Sequence, residues 1–480
     1  MIRRYWGEKM RELWETSERK FGNWLKVELA TLAAREELGQ IPKGTTEEIS
    51  KRTWMDADVM RAIERRDKAI NHDLNAFVEI MRLQIILPRE EFEGLYKLVD
   101  DGLFNRAVTE GLATQGSSPY AGYFHDGMTS YDTEEPAMAL LLRDSGEIIE
   151  QELRNLQNAL VERAIQHRGV LMIGRTHGQH AQPITFGVKL LGYLDLIQRA
   201  HTAFGTALEQ VRVMKLSGAV GVYGTLGPKV EALVGQELDL EPVIANQILP
   251  LDRRARLVIE LALIASCVGK IADDLWHMCQ TEVGEIREPF SKSQKASSAM
   301  PHKKNPITLE QIKGLSRVVR NCAVPMMENI ATSHERDIAH SSVERIEVPD
   351  AFGFLDHILR GLTRIIKGMS VFPKRMAKNL DATQGTIASQ RIEMWLKHNG
   401  MPAEAAYRAV QRLCYLAVED DRHLKFVLAD DSETSPYVAK DANGLTACFD
   451  WRTWVTEEDY IYKRAKVSTN DSRETTSSST

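Results

Sequence analysis

The stretch EKMRELWETSERKFGNWLKVELATLAAREEL, residues 8–38, indicates the fold class of this 480-residue chain. Its apolar residues recur three and four positions apart, which is the spacing of one helix face. Gly39 follows, where a helix C-terminal cap is expected. We therefore predict one long helix whose tryptophans belong to the protein core. The apolar face comprises Met10, Leu13, Trp14, Phe21, Trp24, Leu25, Leu29 and Leu32.

The same helical spacing covers most of the chain, and strand-like alternation is rare. Four later segments carry apolar residues on more than one face, as helices of a bundle do. Such faces usually meet other helices, often from another subunit. We predict an all-α protein with a long central helical bundle. The four segments are about 147–165, 189–216, 254–283 and 305–330.

Changes in composition along the chain suggest three domains and a tail. A loop-like stretch at residues 114–132 precedes the bundle, and residues 371–385 lead out of it. The polar segment KVSTNDSRETTSSST, residues 466–480, is typical of disorder. We predict an N-terminal helical domain at 1–120, a central long-helix bundle at 121–375, and a C-terminal helical domain at 376–480.

Composition narrows the classes of function. A net charge of -6 argues against a protein that binds nucleic acid or a membrane surface. The N-terminus lacks the apolar stretch of a targeting signal, and no later run approaches the length of a membrane span. Five cysteines without a CxxC pair suit a reducing compartment and offer no zinc cluster. We predict a cytoplasmic protein whose partners are small molecules or copies of itself.

The segment SSAMPHKKNP, residues 297–306, interrupts the helical pattern with small polar and basic residues. Asn305 followed by Pro306 is an N-cap and first-turn signal, so we predict a helix that begins there with its positive end toward the loop. Lys303 adds a full positive charge. A serine in this loop would lie in a field that stabilises an oxyanion. Most loops of this composition are, however, only solvated basic loops.

Two further polar segments interrupt the helices. GRTHGQHAQP, residues 174–183, holds two histidines in a loop, but no nearby cysteine or carboxylate completes a metal site, and HExxH is absent. HERDIAHSSVERI, residues 334–346, spaces polar residues as an anion site would, although a solvated helix face has the same pattern. Neither GxSxG nor GxGxxG occurs, so a serine esterase and a dinucleotide-binding domain have no support.

Together these segments resemble the adenylosuccinate lyases of the aspartase/fumarase superfamily. SSAMPHKKNP is similar to the signature loop of that superfamily, roughly GSSxMPxKxNP, and His302 after MP is typical of adenylosuccinate lyases and carboxymuconate cycloisomerases. The starting RYW, NHDLNAF at 71–77 and CFDW at 448–451 also resemble the adenylosuccinate lyases, in the same order. The resemblance implies a three-domain aspartase/fumarase-like fold. It also implies a homotetramer in which each active site takes residues from three subunits.

The resemblance further implies an elimination that releases fumarate from a succinylated purine nucleotide, without a cofactor or a metal. Ser297 matches the general base of the family, with Ser298 beside it in the signature. His177 matches the general acid, and Glu310 matches the carboxylate that pairs with that histidine. The remaining catalytic positions are matched by Lys303 and His72.

The residues that match substrate-binding positions fall into two groups. One group matches positions that hold the succinyl part of the substrate, and the other matches nucleotide-binding positions. The first comprises Thr176, His125, Thr129, Ser130 and Gln247, and the second Arg4, Tyr5, Arg336, Ser341 and Arg345. Asn305 of the signature loop is a further substrate-binding position.

Several residues depart from the family pattern. Asn71 stands where many members have arginine, and Ala296 replaces the usual glycine before the serines. TEEP at residues 133–136 stands where Asp-Thr is more usual, and Leu251 with Arg254 interrupts the common QRDRHA pattern. These departures leave the acid and the base intact and concern the far end of the substrate.

Three alternatives stay open beside an adenylosuccinate lyase. One is a carboxymuconate cycloisomerase or a specialised lyase of the superfamily, but a substrate without phosphate has no need of Arg336, Ser341 and Arg345. Another is a structural homologue without catalysis, against which the intact acid and base count. The third is a nucleotide-binding regulatory module, which leaves that acid and base unexplained.

Overall fold

The computed structural model describes residues 3–113, 118–290 and 299–468, and these ranges are predominantly helical. Ala296, Ser297 and Ser298 lie outside the described residues, as does the predicted disordered tail from residue 469 onward. The start of that predicted tail is wrong, because Val467 is buried and its amide donates to the Tyr462 carbonyl (3.1 Å). The all-α class is confirmed.

In the described ranges the chain forms a series of 21 α-helices. The first half contains α1 (Glu8–Trp14), α2 (Ser17–Glu37), α3 (Thr45–Arg52), α4 (Ala57–Ile70), α5 (Asp73–Ile86), α6 (Arg89–Tyr96), α7 (Asp101–Ala113), α8 (Ser130–Gln166), α9 (Phe186–Glu209), α10 (Pro228–Leu238) and α11 (Asp252–Met278). The second half contains α12 (Ile307–Asn321), α13 (Ala323–Glu328), α14 (Ala339–Gly368), α15 (Pro373–Leu380), α16 (Ser389–His398), α17 (Ala403–Glu419), α18 (Leu424–Asp430), α19 (Ser435–Lys440), α20 (Ala442–Cys448) and α21 (Glu458–Arg464).

Three small two-stranded sheets accompany the helices. β1 (Leu171–Thr176) and β2 (Gln179–Thr185) form an antiparallel hairpin. β3 (Val213–Met214) pairs in parallel with β4 (Glu241–Pro242), and β5 (Ile286–Arg287) pairs antiparallel to β6 (Ser370–Val371). No helix in the described ranges is both long enough and apolar enough to cross a membrane.

The single helix predicted over residues 8–38 is wrong, because the chain breaks between α1 and α2. Thr16 adopts an extended conformation (φ -99°, ψ 136°). Its hydroxyl donates to the Glu12 carbonyl (3.1 Å), which lies in the last turn of α1. A threonine that bonds a nearby backbone group competes with helix continuation, and the periodic apolar pattern cannot reveal that competition.

The chain forms two compact units, each assembled from three separate segments. The first comprises Met1–Glu152, Ala200–Ser266 and Leu315–Ile358, and the second comprises Leu153–Arg199, Cys267–Gly314 and Leu359–Thr480. The division into domains at 1–120, 121–375 and 376–480 follows chain order instead, and it stays a prediction.

An aromatic cluster anchors the core of the first unit. Phe21 and Trp24 of α2 pack against Phe77 of α5, with ring centroids 6.2 and 5.4 Å away. Phe77 also contacts Phe124 (6.0 Å), and all four rings are buried. Aromatic side chains bury large apolar areas, so this cluster fixes the segment that runs from Phe124 into α8.

One core cluster of the second unit is C-terminal. Buried side chains from α16, α17, α18 and α20 form one cluster that includes Leu396, Leu413 and Leu424. The buried Tyr462 of α21 donates a hydrogen bond to the Ala164 carbonyl (2.6 Å). The C-terminal helices therefore pack on the end of α8 within this unit.

A buried ion cluster joins three segments of the first unit. Arg254 of α11 pairs with Glu344 of α14 (3.0 Å) and with Glu135 of α8, and all three side chains are buried. Arg254 and the TEEP segment that contains Glu135 both depart from the family pattern. The two departures therefore contact each other, and Arg254 neutralises two carboxylates that would otherwise be buried unpaired.

We expect Arg254→Ala to lower the free energy of unfolding by about 3–5 kcal/mol, because it leaves two buried carboxylates without a cation. Denaturant titration measures this change. The matched control is Arg256→Ala on the same helix, since Arg256 pairs with Asp252 at 3.5 Å on the surface and should contribute less than about 1 kcal/mol. Equal effects of the two substitutions would contradict the account.

Candidate active site

A cleft of about 590 Å³ gathers polar side chains in the first unit, and we call it the anion cleft. Its walls come from the junction of α4 and α5, the start of α8, and the segment that leads into α14. Five predicted site residues line it: His72, Ser130, Arg336, Ser341 and Arg345. The other lining residues are Asp67, Asn71, Asp73, Tyr131, Glu134, Ile338, Ala339 and Ser342.

The turn between α4 and α5 places His72 in the anion cleft. Asn71 adopts the left-handed conformation (φ 53°), which asparagine reaches more readily than most residues, so this departure suits the turn. His72 then caps α5, because its Nδ1 accepts from the Asn75 amide (3.2 Å). With Nδ1 as acceptor, the neutral ring carries its proton on Nε2.

Asp73 holds two cations at the anion cleft. Its Oδ2 lies 2.7 Å from Lys20 Nζ and 3.0 Å from Arg345 Nη2. Burial raises the pKa of Asp73, but Lys20 and Arg345 outweigh it and hold that pKa below its ordinary value. Asp73 is therefore ionised at neutral pH and orients Arg345, whose side chain is otherwise more than half exposed.

Arg336 is positioned by a ring and an amide. Its guanidinium carbon lies 4.0 Å from the centroid of the Tyr131 ring, and its Nη1 donates to Gln247 Oε1 (3.3 Å). Stacking on an aromatic face restricts a guanidinium without occupying all of its donors. The predicted succinyl residue Gln247 and the predicted nucleotide residue Arg336 thus contact each other.

Glu134 is an acidic residue of the anion cleft that the sequence reasoning did not identify as a site residue. Burial raises its pKa to about 7, and the negative charge of Asp73 adds to that effect. Lys20, Arg345 and Arg336 oppose the shift. The carboxyl is therefore partly protonated at neutral pH, beside side chains that suit an anion.

A buried ion pair fixes the start of α8, where Thr129 and Ser130 lie. Asp132 accepts from the Thr129 amide (3.0 Å) and pairs with Lys215 (2.7 Å), and both charged side chains are fully buried. Lys215 also donates to the carbonyls of Gly218 (2.7 Å) and Gln247 (3.1 Å). The sequence reasoning missed Lys215, although a lone lysine in the apolar stretch VRVMKLSGAV is its signal.

His125 lies just before α8 in the left-handed conformation (φ 59°). Its Nδ1 is 2.7 Å from Oε1 of Glu28, a buried residue of α2. Thr133 donates to the same Glu28 oxygen (2.6 Å). The sequence reasoning did not identify Glu28, because 97 residues separate it from His125.

In the second unit, His177 lies at the tip of the β1–β2 hairpin, whereas His180, predicted in the same loop, lies in β2. Thr176 pairs with Gln179, so His177 and Gly178 form a two-residue turn with φ of 54° and 76°. Positive φ at both positions is typical of a type I′ hairpin turn. The imidazole of His177 is exposed, and Thr176 beside it is exposed as well.

A buried carboxylate holds this hairpin close to its tip. Both terminal nitrogens of Arg175 donate to Glu285, at 3.1 and 2.9 Å, and Asn379 Nδ2 donates to the same carboxylate at 2.8 Å. Glu285 is fully buried. A bidentate arginine–carboxylate pair restricts orientation, so it helps to define the direction of β1, which ends one residue before His177.

The helix predicted to begin at Asn305 begins two residues later, since α12 starts at Ile307. The carboxylate of Glu288 accepts from the amides of Thr308 (3.3 Å) and Leu309 (2.6 Å). The first-turn N–H groups of α12 thus have a partner, which weakens the predicted field toward the loop. The exposed ammonium of Lys303 remains as a positive charge there.

The other predicted residues have simpler surroundings. Glu310 accepts from Trp276 Nε1 (3.2 Å), and within one chain no hydrogen bond among the described residues joins it to His177. Arg4 is exposed, and Tyr5 contacts the His357 ring edge-on at 5.4 Å. Within a chain, the structure therefore gathers the residues of the anion cleft but does not pair the proposed acid with its carboxylate.

We expect Glu134→Gln to stabilise the protein increasingly as pH rises. A pKa raised from 4.5 to about 7 means that the folded protein retains a proton that the unfolded chain has released, so this group's contribution to stability falls across that range. The substitution removes that loss, which amounts to at most about 3 kcal/mol above pH 7. Denaturant titrations of both proteins at pH 5 and pH 8 measure the difference. A difference that does not grow between these pH values would contradict the assignment.

Two family models match the chain. The lyase model matches residues 100–321, and the model of the adenylosuccinate lyase C-terminus matches residues 385–465. Solved structures agree with the fold. The chain is similar to a fumarate lyase from Mesorhizobium sp. BNC1 (TM-score 0.80, 27% identity, covering 96% of this chain and 98% of that one). It is similar also to a 3-carboxy-cis,cis-muconate lactonizing enzyme from Pseudomonas putida (TM-score 0.80, 25% identity, 96% of each chain).

Curated relatives cover nearly the full length. An adenylosuccinate lyase from Aquifex aeolicus is 37% identical over 97% of this chain and 98% of its own. One from Thermotoga maritima is 37% identical over 97% of this chain and 99% of its own. Identity of this level over the whole chain shows common family membership. The protein is a lyase, and its chain belongs to the adenylosuccinate lyase family.

Proposed function

We propose that the protein eliminates fumarate from adenylosuccinate to leave AMP, and from the succinyl-carboxamide ribotide of purine biosynthesis in the same way. The observation that carries the proposal is the anion cleft, where Arg336, Ser341 and Arg345 line one cavity with His72. Arginine bonds phosphate through its planar fork, and a serine hydroxyl can donate to the same group. The full-length relatives named as adenylosuccinate lyases support the same substrate.

The proposed chemistry needs one base and one acid. Ser297, as an alkoxide, takes the proton from the carbon beside a succinyl carboxylate, and the carbon–nitrogen bond then breaks. His177 gives a proton to the departing nitrogen. Lys303 stabilises the serine oxyanion, and Glu310 orients His177 as its partner.

The remaining contacts divide between the two ends of the substrate. His125, Thr129, Ser130, Thr176 and Gln247 hold the succinyl part, while Arg4, Tyr5, Arg336, Ser341 and Arg345 hold the nucleotide. His72 lies near the phosphate or the leaving group, and Asn305 is a further substrate contact. Because Gln247 bonds Arg336 (3.3 Å), the two ends of the substrate are coupled through one hydrogen bond.

The second candidate is a carboxymuconate cycloisomerase, which the fold similarity to the Pseudomonas putida enzyme favours. Its substrate has carboxylates but no phosphate. The three anion-binding side chains of the cleft would then have no complete partner, so the nucleotide substrate accounts for more of the site.

We further propose a cytoplasmic homotetramer whose active sites combine the His177 hairpin, the Ser297 loop and the His125–Ser130 segment from different chains. Apolar side chains of α11, α12 and α13 support it, because they are about half exposed in one chain and would be buried by symmetry mates. They include Leu263 (50%), Val318 (43%), Val324 (51%) and Met327 (44%).

We expect the purified protein to release fumarate from adenylosuccinate and to form no lactone from carboxymuconate, with the two assayed separately. Ser297→Ala should reduce kcat by about a thousandfold or more while substrate still binds, because it removes a proton acceptor. Ser298→Ala is the matched control and should lose far less. If Ser298→Ala loses kcat while Ser297→Ala retains it, the general base is Ser298 and not Ser297.

Mixing two inactive proteins tests the shared site. Under conditions that exchange subunits, we expect His177→Ala mixed with Ser297→Ala to recover part of the fumarate release, since some sites receive an intact acid and an intact base. Tagged subunits verify that hybrids form. Hybrids that stay as inactive as either parent would place the acid and the base on the same chain.

A further inference from the structure

The segment that carries His125 is held on both sides. Arg82 donates to the Phe124 carbonyl through two nitrogens, at 2.7 and 3.2 Å. Arg35 donates to the Asp126 carbonyl and to its carboxylate, both at 2.9 Å. These contacts stabilise the left-handed backbone conformation of His125, which residues other than glycine rarely adopt. The backbone is thus fixed before the imidazole meets any ligand.

The imidazole itself is held by Glu28. Its Nδ1 lies 2.7 Å from Glu28 Oε1, and the hydroxyl of Thr133 donates to the same oxygen (2.6 Å). Oε1 already accepts from the Thr133 hydroxyl, and as an acceptor it takes its second hydrogen bond from an N–H on Nδ1 of the histidine. The ring nitrogen left for a ligand is Nε2. The side chain of His125 is 12% exposed, whereas that of Glu28 is 1% exposed.

Stability alone does not account for Glu28. Its second oxygen, Oε2, is buried and has no hydrogen-bond partner among the described residues. Burying a carboxylate with one unpartnered oxygen costs free energy, and an apolar side chain at this position of α2 would avoid that cost. The contact with His125 and Thr133 is therefore the feature that the carboxylate supplies.

We propose that Glu28 is a positioning residue that keeps the proton on Nδ1 of His125 and so presents Nε2 to a carboxylate of the succinyl group. Thr133 fixes the orientation of the Glu28 carboxylate in this arrangement. His72 differs, because its Nδ1 accepts from a backbone amide and its neutral ring carries the proton on Nε2. The inference rests on the proposed function, since it takes the succinyl group as the ligand of His125.

Glu28→Gln tests the proposal with little change in shape. A glutamine can turn either its oxygen or its NH₂ group toward Nδ1, so it no longer determines which ring nitrogen carries the proton. We expect kcat/KM for adenylosuccinate to fall about 10- to 100-fold, by analogy with the loss of a carboxylate that orients a metal-ligating histidine. Inhibition by AMP, which lacks the succinyl group, should change less than about twofold. Glu28→Asp keeps a carboxylate that only accepts hydrogen bonds, so its kcat/KM should fall less than that of Glu28→Gln.

A double-mutant cycle with His125→Gln separates positioning from a general structural role. If Glu28 acts through His125, Glu28→Gln should have almost no further effect on kcat/KM once His125 has been replaced. Additive losses, or equal losses of substrate and AMP affinity, would overturn the proposal. The control is Glu79→Gln on α5, which removes a carboxylate paired with Arg66 at 2.6 Å and should leave kinetics unchanged.

An assay of the parent protein separates the proposed function from the positioning role of Glu28. If the parent protein releases no fumarate from adenylosuccinate, the proposed function is rejected. The role of Glu28 is then tested on the His125 ring itself. Nitrogen-15 NMR of the His125 ring should show the proton on Nδ1 in the parent and a mixture of the two tautomers in Glu28→Gln. A ring that carries its proton on Nδ1 in both proteins would overturn the positioning role.

Discussion

The buried ion pair between Lys215 and Asp132 is the interaction on which the proposed substrate site depends. Both side chains are excluded from solvent, and such a pair is tolerated only when further hydrogen bonds complete it. Asp132 accepts hydrogen bonds from the amides of Thr129 and Gly218. Lys215 donates to the carbonyls of Gly218 and Gln247. The start of α8 and the Gln247 segment are thus held by the same charges.

In the anion cleft, each of two guanidinium groups is held by neighbouring side chains. Asp73 orients Arg345, and Tyr131 with Gln247 orients Arg336, so both guanidinium groups keep donors for a ligand. Glu134 adds a carboxyl whose pKa burial raises to about 7. Under the proposed function, a phosphate bound beside it would favour the protonated form and so couple binding to proton uptake near neutral pH.

Periodicity predicted the helical class, since amphipathic faces such as that of α2 bury against neighbouring elements in the structure. It could not predict the break at Thr16 or the strands beside His177, which depend on local hydrogen bonds and turn geometry. The contacts of Glu28 with His125, and of Arg254 with two glutamates, join residues about a hundred positions apart. No spacing rule reaches across such distances. The resemblance placed Arg336, Ser341 and Arg345 together, and the structure brings them to one cleft.

Calorimetric titration with AMP and adenosine tests the central claim, that the anion cleft binds the phosphate of a nucleotide. AMP should bind at least about 100-fold more tightly than adenosine, because charge-assisted hydrogen bonds to two arginines contribute about 1.5–3 kcal/mol each. In Arg345→Met the ratio of the affinities for AMP and adenosine should fall by about tenfold or more. Equal affinity of the parent for the two ligands, or a preference that Arg345→Met leaves intact, would contradict the account.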